Sequence, residues 1–323
     1  MYQLLIRGAQ AGALLLGVSF LTFVFQALSP GEFFQPMRLN PQVTENTVSR
    51  LRADHGIDQP VVTRYFLWLK SVAHGEFGYS FAYDSPVAPL LRIRARNTLL
   101  LTGVSMCSAW LLALFLGICC AQSRCGWLDR ICVLGTSALL LIPELLLGLC
   151  LLALASRTGW FPAGGMISPG FEYLNRWNQL RDLGRHLCLP TLVLTLSSLP
   201  VLFSHVRTAM RDVLDSPFIH AARAHGIPQH RLLLRHALPA AANPIISLFG
   251  FSVGSLLSTS LLTEVVMSWP GLGPLFLEAV MARDTYIVVG ATMFTTSLLL
   301  MGSAVADIML YAADPRVHFK VQK

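Results

Sequence analysis

Five stretches of this chain contain no Asp, Glu, Lys or Arg: residues 8–28, 97–123, 187–204, 237–263 and 285–306, each 18 to 27 residues long. A sixth, residues 131–156, is interrupted only by Glu144. About 20 predominantly apolar residues cross the hydrocarbon layer of a bilayer as a helix, the one single-segment structure that satisfies all its own backbone groups there. Six helical spans are therefore predicted, and with them an all-α integral membrane protein. Charged residues make up only 13% of the chain, against roughly 25% in ordinary soluble proteins. The first run exceeds a secretory h-region in length, and "FQALSPGE" after it offers no small-x-small cleavage site, so it is expected to remain as a span.

The formal net charge of +7 does not point to nucleic acid. The basic residues are scattered over loops and nearly all are Arg, with Lys70, Lys320 and Lys323 the only lysines, as expected of a membrane protein with cationic loops. Cys107, Cys119, Cys120, Cys125, Cys132, Cys150 and Cys188 lie in or beside the apolar runs without CxxC spacing, so they read as small apolar residues with no metal role.

Residues 1–28 form the N-terminal segment and first span, residues 29–96 a polar insert, and residues 97–323 the remaining five spans. From Pro60 onward Val62, Tyr65, Phe66, Leu69 and Val72 recur at helical spacing, so the insert is expected to be a small folded cap. "HGEFGYSFAYDSP" then reads as turns. "GWFPAGG", Trp177 and "SWPGLGP" suit a membrane interface. A raw count of Lys and Arg does not decide orientation. Once the long insert is discounted, Arg124, Arg130, Arg207, Arg211, Arg223, Arg231 and Arg235 favour a cytoplasmic side shared with both chain ends.

That side carries "SPFIHAARAHGIPQHRLLLRHALP", residues 216–239, with four of the nine histidines and no acid. Ser216 at N-cap and Pro217 at N1 open a short helix, and Gly226 is placed to close it in the left-handed conformation. Pro228 opens a second helix that Pro239 is expected to break. A helix of about nine residues is not stable alone in water, so it is held by neighbours or docked on a partner. Phe218, Ala221, Ala222 and His225 share a face at i, i+3, i+4 and i+7, low enough for a partner's groove; a solvated loop is the alternative. His220, His225, His230 and His236 are five or six residues apart and do not share a helix face, so a metal site is not expected.

Here the residues carry a resemblance. Ala221, Ala222, Gly226, Leu238 and Pro239 are similar to the Glu-Ala-Ala motif of permease subunits in binding-protein-dependent ABC importers, with His220 in place of the acid and His236 where a hydrophobic residue is usual. "GIDQPVVTRYFLWL" with "GEFGYSF", "HLCLPTLVLTL", "TEVVMSWPGLG" and "YAADPR" follow in the order of the oligopeptide/dipeptide/nickel branch. "RARNTLLL" departs from the Pro-Ala-Thr usual before the second span. The resemblance implies a type I ABC importer permease fold with the insert extracytoplasmic. It also implies a cytoplasmic coupling helix at about 217–226 that docks on an ATPase, with Arg223 and His225 available to charged groups there. The implied partners are a second homologous permease, two ABC ATPase subunits that bind ATP and Mg, an extracytoplasmic binding protein and the bilayer of a bacterial cytoplasmic membrane. The chain has no GxxxxGK[ST] loop, so it is not expected to be an enzyme or to hold a cofactor. The cargo expected is a peptide, with nickel or another small solute, or a self-sufficient secondary transporter, as alternatives.

Four acids lie in or beside the spans. Glu144 is costly in a span unless it faces a wet cavity, finds a partner or is protonated, so it either lines a path and meets cationic groups or is a protonated acid hydrogen-bonded to a neighbouring helix. Glu264, with Trp269, Pro270 and Gly271, is expected to shape the outer mouth. Asp307, one turn before Tyr311, and Asp314 in "YAADPR" are expected to be structural.

Overall fold

The computed structural model describes residues 2–28, 59–80, 82–122 and 126–313, with side chains from Arg7 onward. Asp314, Cys125, Arg124 and residues 29–58 of the insert lie outside the described residues. The chain divides into two compact units, residues 1–97 with 270–298, and residues 98–269 with 299–323.

The first unit holds α1 (Tyr2–Leu28), α2 (Val61–Ala73), a two-stranded antiparallel hairpin of β1 (Tyr79–Ser80) and β2 (Ser85–Pro86), and the start of α3 (Val87–Gln122). It also holds α10 (Leu272–Ala282) and the first part of α11 (Thr285–Ala313). α3 begins ten residues before the uncharged run, because Arg92, Arg94 and Arg96 are good helix formers that lie ahead of the apolar stretch. On α2 the buried residues are Tyr65 and Trp68, with Val61, Leu69 and Val72 packed beside them, while Val62 and Phe66 are exposed. The expected stripe is thus rotated, since 61, 65, 68 and 72 follow a 3.6-residue period more closely. The Tyr65 hydroxyl donates to Leu16 O at 3.2 Å, and Trp68 Nε1 donates to Phe77 O at 3.0 Å, so both polar tips in this aromatic core are satisfied.

The hairpin is held by Asp284. Ser80 Oγ donates to its Oδ2 at 2.7 Å and Ile287 N to its Oδ1 at 3.3 Å, so one carboxylate caps α11 and grips the β-turn. Tyr83 donates to Glu278, and burial followed by that bond pushes its hydroxyl up to about 12, so it stays a donor.

The second unit holds the rest of α3, then α4 (Gly126–Leu140), α5 (Glu144–Thr158), α6 (Arg176–Leu214), α7 (Pro217–Ala224), α8 (Gln229–Leu232), α9 (Ala242–Val266) and the end of α11. Among the described residues, α1, α3, α6, α9 and α11 are each long and apolar enough to cross a membrane. The third expected span is a bent pair: α4 and α5 meet at 99°. Pro143 causes the break, because a residue before proline avoids the α region and proline has no N–H to continue the ladder. α4 tightens at its end into Leu141 N to Ala138 O and Ile142 N to Leu139 O bonds, both 3.2 Å. Each half has 15 residues, about 22 Å of helix, less than the ~30 Å a straight span covers.

α9 and α11 approach through glycine. A Cβ at Gly250 would lie 2.6 Å from the Ala306 Cβ, and one at Gly302 would collide with Val253. Such small-residue contacts let membrane helices gain dispersion contacts where apolar burial gives no advantage over lipid.

Candidate functional site

α7 is built between two turns. Ser216 O accepts from Ile219 N at 3.1 Å and His220 N at 3.2 Å, and Pro217 occupies N1. The Ser216 hydroxyl does not cap the helix as expected; it donates backward to Val213 O at 2.5 Å, because the last carbonyls of α6 lie closer to it. At the other end Gly226 has φ +76°. Its N–H reaches Arg223 O at 3.0 Å and Ile227 N reaches Ala222 O at 3.4 Å, the bond pair of a Schellman turn.

Ile219 fixes the helix's rotation. It is fully buried against a core that includes Val206, Met210, Leu214 and Leu232, and Ala222 packs toward the same side. The outward face therefore carries Ala221 and Ala224 at its centre, flanked by Phe218, His220 and His225, all exposed. The expected docking stripe is corrected at one position, since Ala222 is half-buried and turns inward. Arg223 is half-buried and Gly226 exposed.

Pro239 does not break the following helix. α8 passes into a π turn at Leu233–Ala237 and then Leu238–Ala240, with Pro239 in its first turn. The wider π turn gives the proline ring room against the preceding carbonyls. Leu238 is half-buried and Pro239 exposed, while Leu232, Leu233 and Ala237 bury the inner side.

Sequence reasoning missed the clamp behind this element. Arg207 donates to Asp129 through Nε to Oδ1 at 2.6 Å and Nη2 to Oδ2 at 2.8 Å, and Arg211 Nη2 lies 2.9 Å from Oδ2. The two arginines are four residues apart on α6, so they face the same way. Asp129 lies in the first turn of α4, whose other end borders the α4–α5 break. The signal was available: Asp129 is the only acid between Asp84 and Glu144.

At the break, α4, α5, α6 and α9 line a half-open cavity of about 320 Å³. Its apolar wall includes Leu139, Ile142, Val201, Phe251 and Leu256, and Glu144 is its one ionisable lining residue. Thr263 Oγ1 donates to Glu144 Oε1 at 2.5 Å. The two readings of Glu144 are thus compatible: it borders a cavity and also bonds a neighbouring helix. Its place in the first turn of α5 sets the carboxylate at the positive end of that helix.

Glu264 and Trp269 are both fully buried. Ser268 at φ 53° and Trp269 N donating to Glu264 O at 2.8 Å close α9 with a second Schellman turn. Gly165 N reaches Met267 O at 3.0 Å, so "GWFPAGG" packs on this turn. Trp269 lies in a cluster with Leu101, Leu187, Leu194 and Leu256. Pro270 and Gly271 belong to the first unit, where Pro270 O accepts from Asn97 Nδ2 at 2.8 Å. Asp307 is half-buried on α11.

Residues 113–319 match the family model described as binding-protein-dependent transport system inner membrane component. The oligopeptide transport system permease protein AppB of Bacillus subtilis (strain 168) is 32% identical over 310 residues, covering 95% of this chain and 96% of the relative. The oligopeptide transport system permease protein OppB of Mycobacterium bovis (strain ATCC BAA-935 / AF2122/97) is 30% identical over 308 residues, 93% and 94% of the two chains. Among solved structures, a chain of the inward-facing MetNI methionine ABC transporter aligns with a TM-score of 0.57 at 17% identity, covering 70% of this chain and 96% of that one. At that identity the likeness speaks for the fold.

Proposed function

The chain belongs to the family of binding-protein-dependent transport system inner membrane components, and from that premise we propose that its cargo is peptides and that it takes its driving motion through the outward face of α7. It is a multi-pass membrane permease of an ABC importer. The peptide reading rests on near full-length similarity to two relatives named as oligopeptide permeases.

In this reading Phe218, His220, Ala221, Ala224 and His225 enter a groove on a separate ATPase, where Arg223 meets acidic groups. Ala222, Gly226, Leu238 and Pro239 set the element's shape. The single observation that carries it is the geometry of α7: a helix far too short to persist alone is fixed from behind by Ile219 and leaves a low alanine surface facing out. ATP and Mg bind in two ATPase partners. A second homologous permease completes the path, an extracytoplasmic binding protein delivers cargo, and the assembly sits in a bacterial cytoplasmic membrane with residues 29–96 outside. Glu144 faces the path, Glu264, Trp269, Pro270 and Gly271 shape its outer end, and Asp307 and Asp314 are structural.

Purification of tagged protein in mild detergent, followed by reconstitution of the whole complex in liposomes, tests this reading. Co-purified P-loop ATPases and ATP-dependent uptake of a labelled tripeptide are expected. Uptake driven by an ion gradient with the chain alone, or ATP-driven uptake of Ni²⁺ in place of peptide, would overturn it.

A further inference from the structure

Resting on the permease reading above, we propose that the Glu144 cavity is an acceptor-rich site that receives a cationic side chain, ammonium or guanidinium, of the solute in transit. Besides Glu144 the polar lining residues are Ser197, Ser198, Ser252, Ser255 and Thr259. Ser197 and Ser198 both donate to Leu194 O, at 3.1 and 2.7 Å. Ser252 donates to Phe249 O at 2.7 Å, and Thr259 to Ser255 O at 3.1 Å. Each of these four hydroxyls spends its one proton on its own helix and retains oxygen lone pairs. Ser252 also accepts from Trp110 Nε1 at 3.0 Å, which leaves it less to offer.

Apart from the exposed Ser255 hydroxyl, the cavity thus presents lone pairs and one carboxylate, and no Lys, Arg or His lines it. A carboxylate-bearing group entering it would meet the Glu144 carboxylate and a single uncommitted hydroxyl donor, Ser255, a desolvation loss with little compensation. An ammonium has three donors and a guanidinium five, and both match such a lining. The volume of about 320 Å³ is at the small end of ligand pockets. It suits one side chain and not an extended oligopeptide. The second oxygen of Glu144 receives no protein donor among the described residues, so it is positioned to take a charge-assisted bond.

The test compares two tripeptides of equal length, one with a central lysine and one with a central norleucine, in the complete reconstituted transporter. The binding protein is the same throughout, so its own preference cancels when the lysine-to-norleucine uptake ratio of a variant is divided by that of wild type. Glu144→Gln should lower the ratio about tenfold, the scale of one charged hydrogen bond. Ser255→Lys, at an exposed position on the same wall, should lower it in the same direction, and Glu144→Asp should preserve it. If Glu144→Gln and Ser255→Lys both keep the wild-type ratio, or reduce both peptides in equal proportion, the proposal is overturned while the permease reading stands. A wild-type complex that carries neither peptide overturns the cargo reading, and this one with it, from the wild-type measurement alone.

Discussion

Replacing Asp129 with asparagine removes one negative charge from between two arginines. The Arg207 pair is bidentate and mostly shielded, with side-chain exposures of 20% for Arg207 and 15% for Asp129. A hydrogen bond to a charged group in such a setting contributes about 1.5–3 kcal/mol. Arg211 is 37% exposed, so its share is held to about 0–1 kcal/mol. Asparagine keeps one acceptor, and the loss from Asp129→Asn comes to about 2–3 kcal/mol of attachment between α4 and α6. That corresponds to about 30- to 150-fold more frequent local opening, read as faster amide exchange across residues 126–134 while exchange in α9 is unchanged. A cycle of Asp129→Asn, Arg207→Gln and the double variant should return a coupling of about 1.5 kcal/mol or more, against under about 1 for the Arg211→Gln cycle. Since Arg207 and Arg211 precede α7 by only two or three turns, ATP hydrolysed per peptide imported should also rise. A coupling below about 0.5 kcal/mol for Asp129–Arg207, or equal couplings for the two arginines, would refute the assignment of Arg207 as the principal partner.

Ala221→Glu should abolish most cargo-stimulated ATP hydrolysis with little change in melting temperature, whereas Ala222→Glu, which turns a carboxylate toward the α7 anchor, should lower the melting temperature itself. Gly250→Val should destabilise the helix pair by about 1–3 kcal/mol in denaturation from mixed micelles, since its side chain overpacks against Ala306, and Ala306→Gly in the same chain should restore part of the loss. Asp284→Ala leaves the fully buried Ser80 hydroxyl without its acceptor and uncaps α11, at a cost of about 2–4 kcal/mol, and protease should then cut between residues 79 and 86 in preference to the rest of the first unit.

The apolar runs and the short helix after Ser216 were legible because each rests on a local signal: span length in one case, Pro217 and Gly226 in the other. Proline was harder to read. Pro143 bends a span to 99° while Pro190 and Pro200 sit within the continuous α6 and Pro239 within a π turn, and the outcome depends on whether neighbouring helices re-satisfy the freed carbonyls. The inward rotation of Ala222 was hidden because alanine carries no amphipathic signal; Ile219, the bulkiest apolar group on the opposite face, was the better guide. The Asp129 clamp joins residues 78 positions apart, a separation that no helical period reports. The cavity was half legible: Glu144 announced itself as an acid in an apolar run, but the orientation of four hydroxyl protons is a property of packed helices alone.

The claim on which the rest depends is that a separate motor grips the outward face of α7. A photoreactive amino acid at position 221, activated in native membranes, tests it directly, with position 219 on the buried face as the internal contrast. A crosslink from 221 to a P-loop ATPase, and none from 219, is the expected outcome. No ATPase adduct at 221, or equal adducts from both positions, would contradict it.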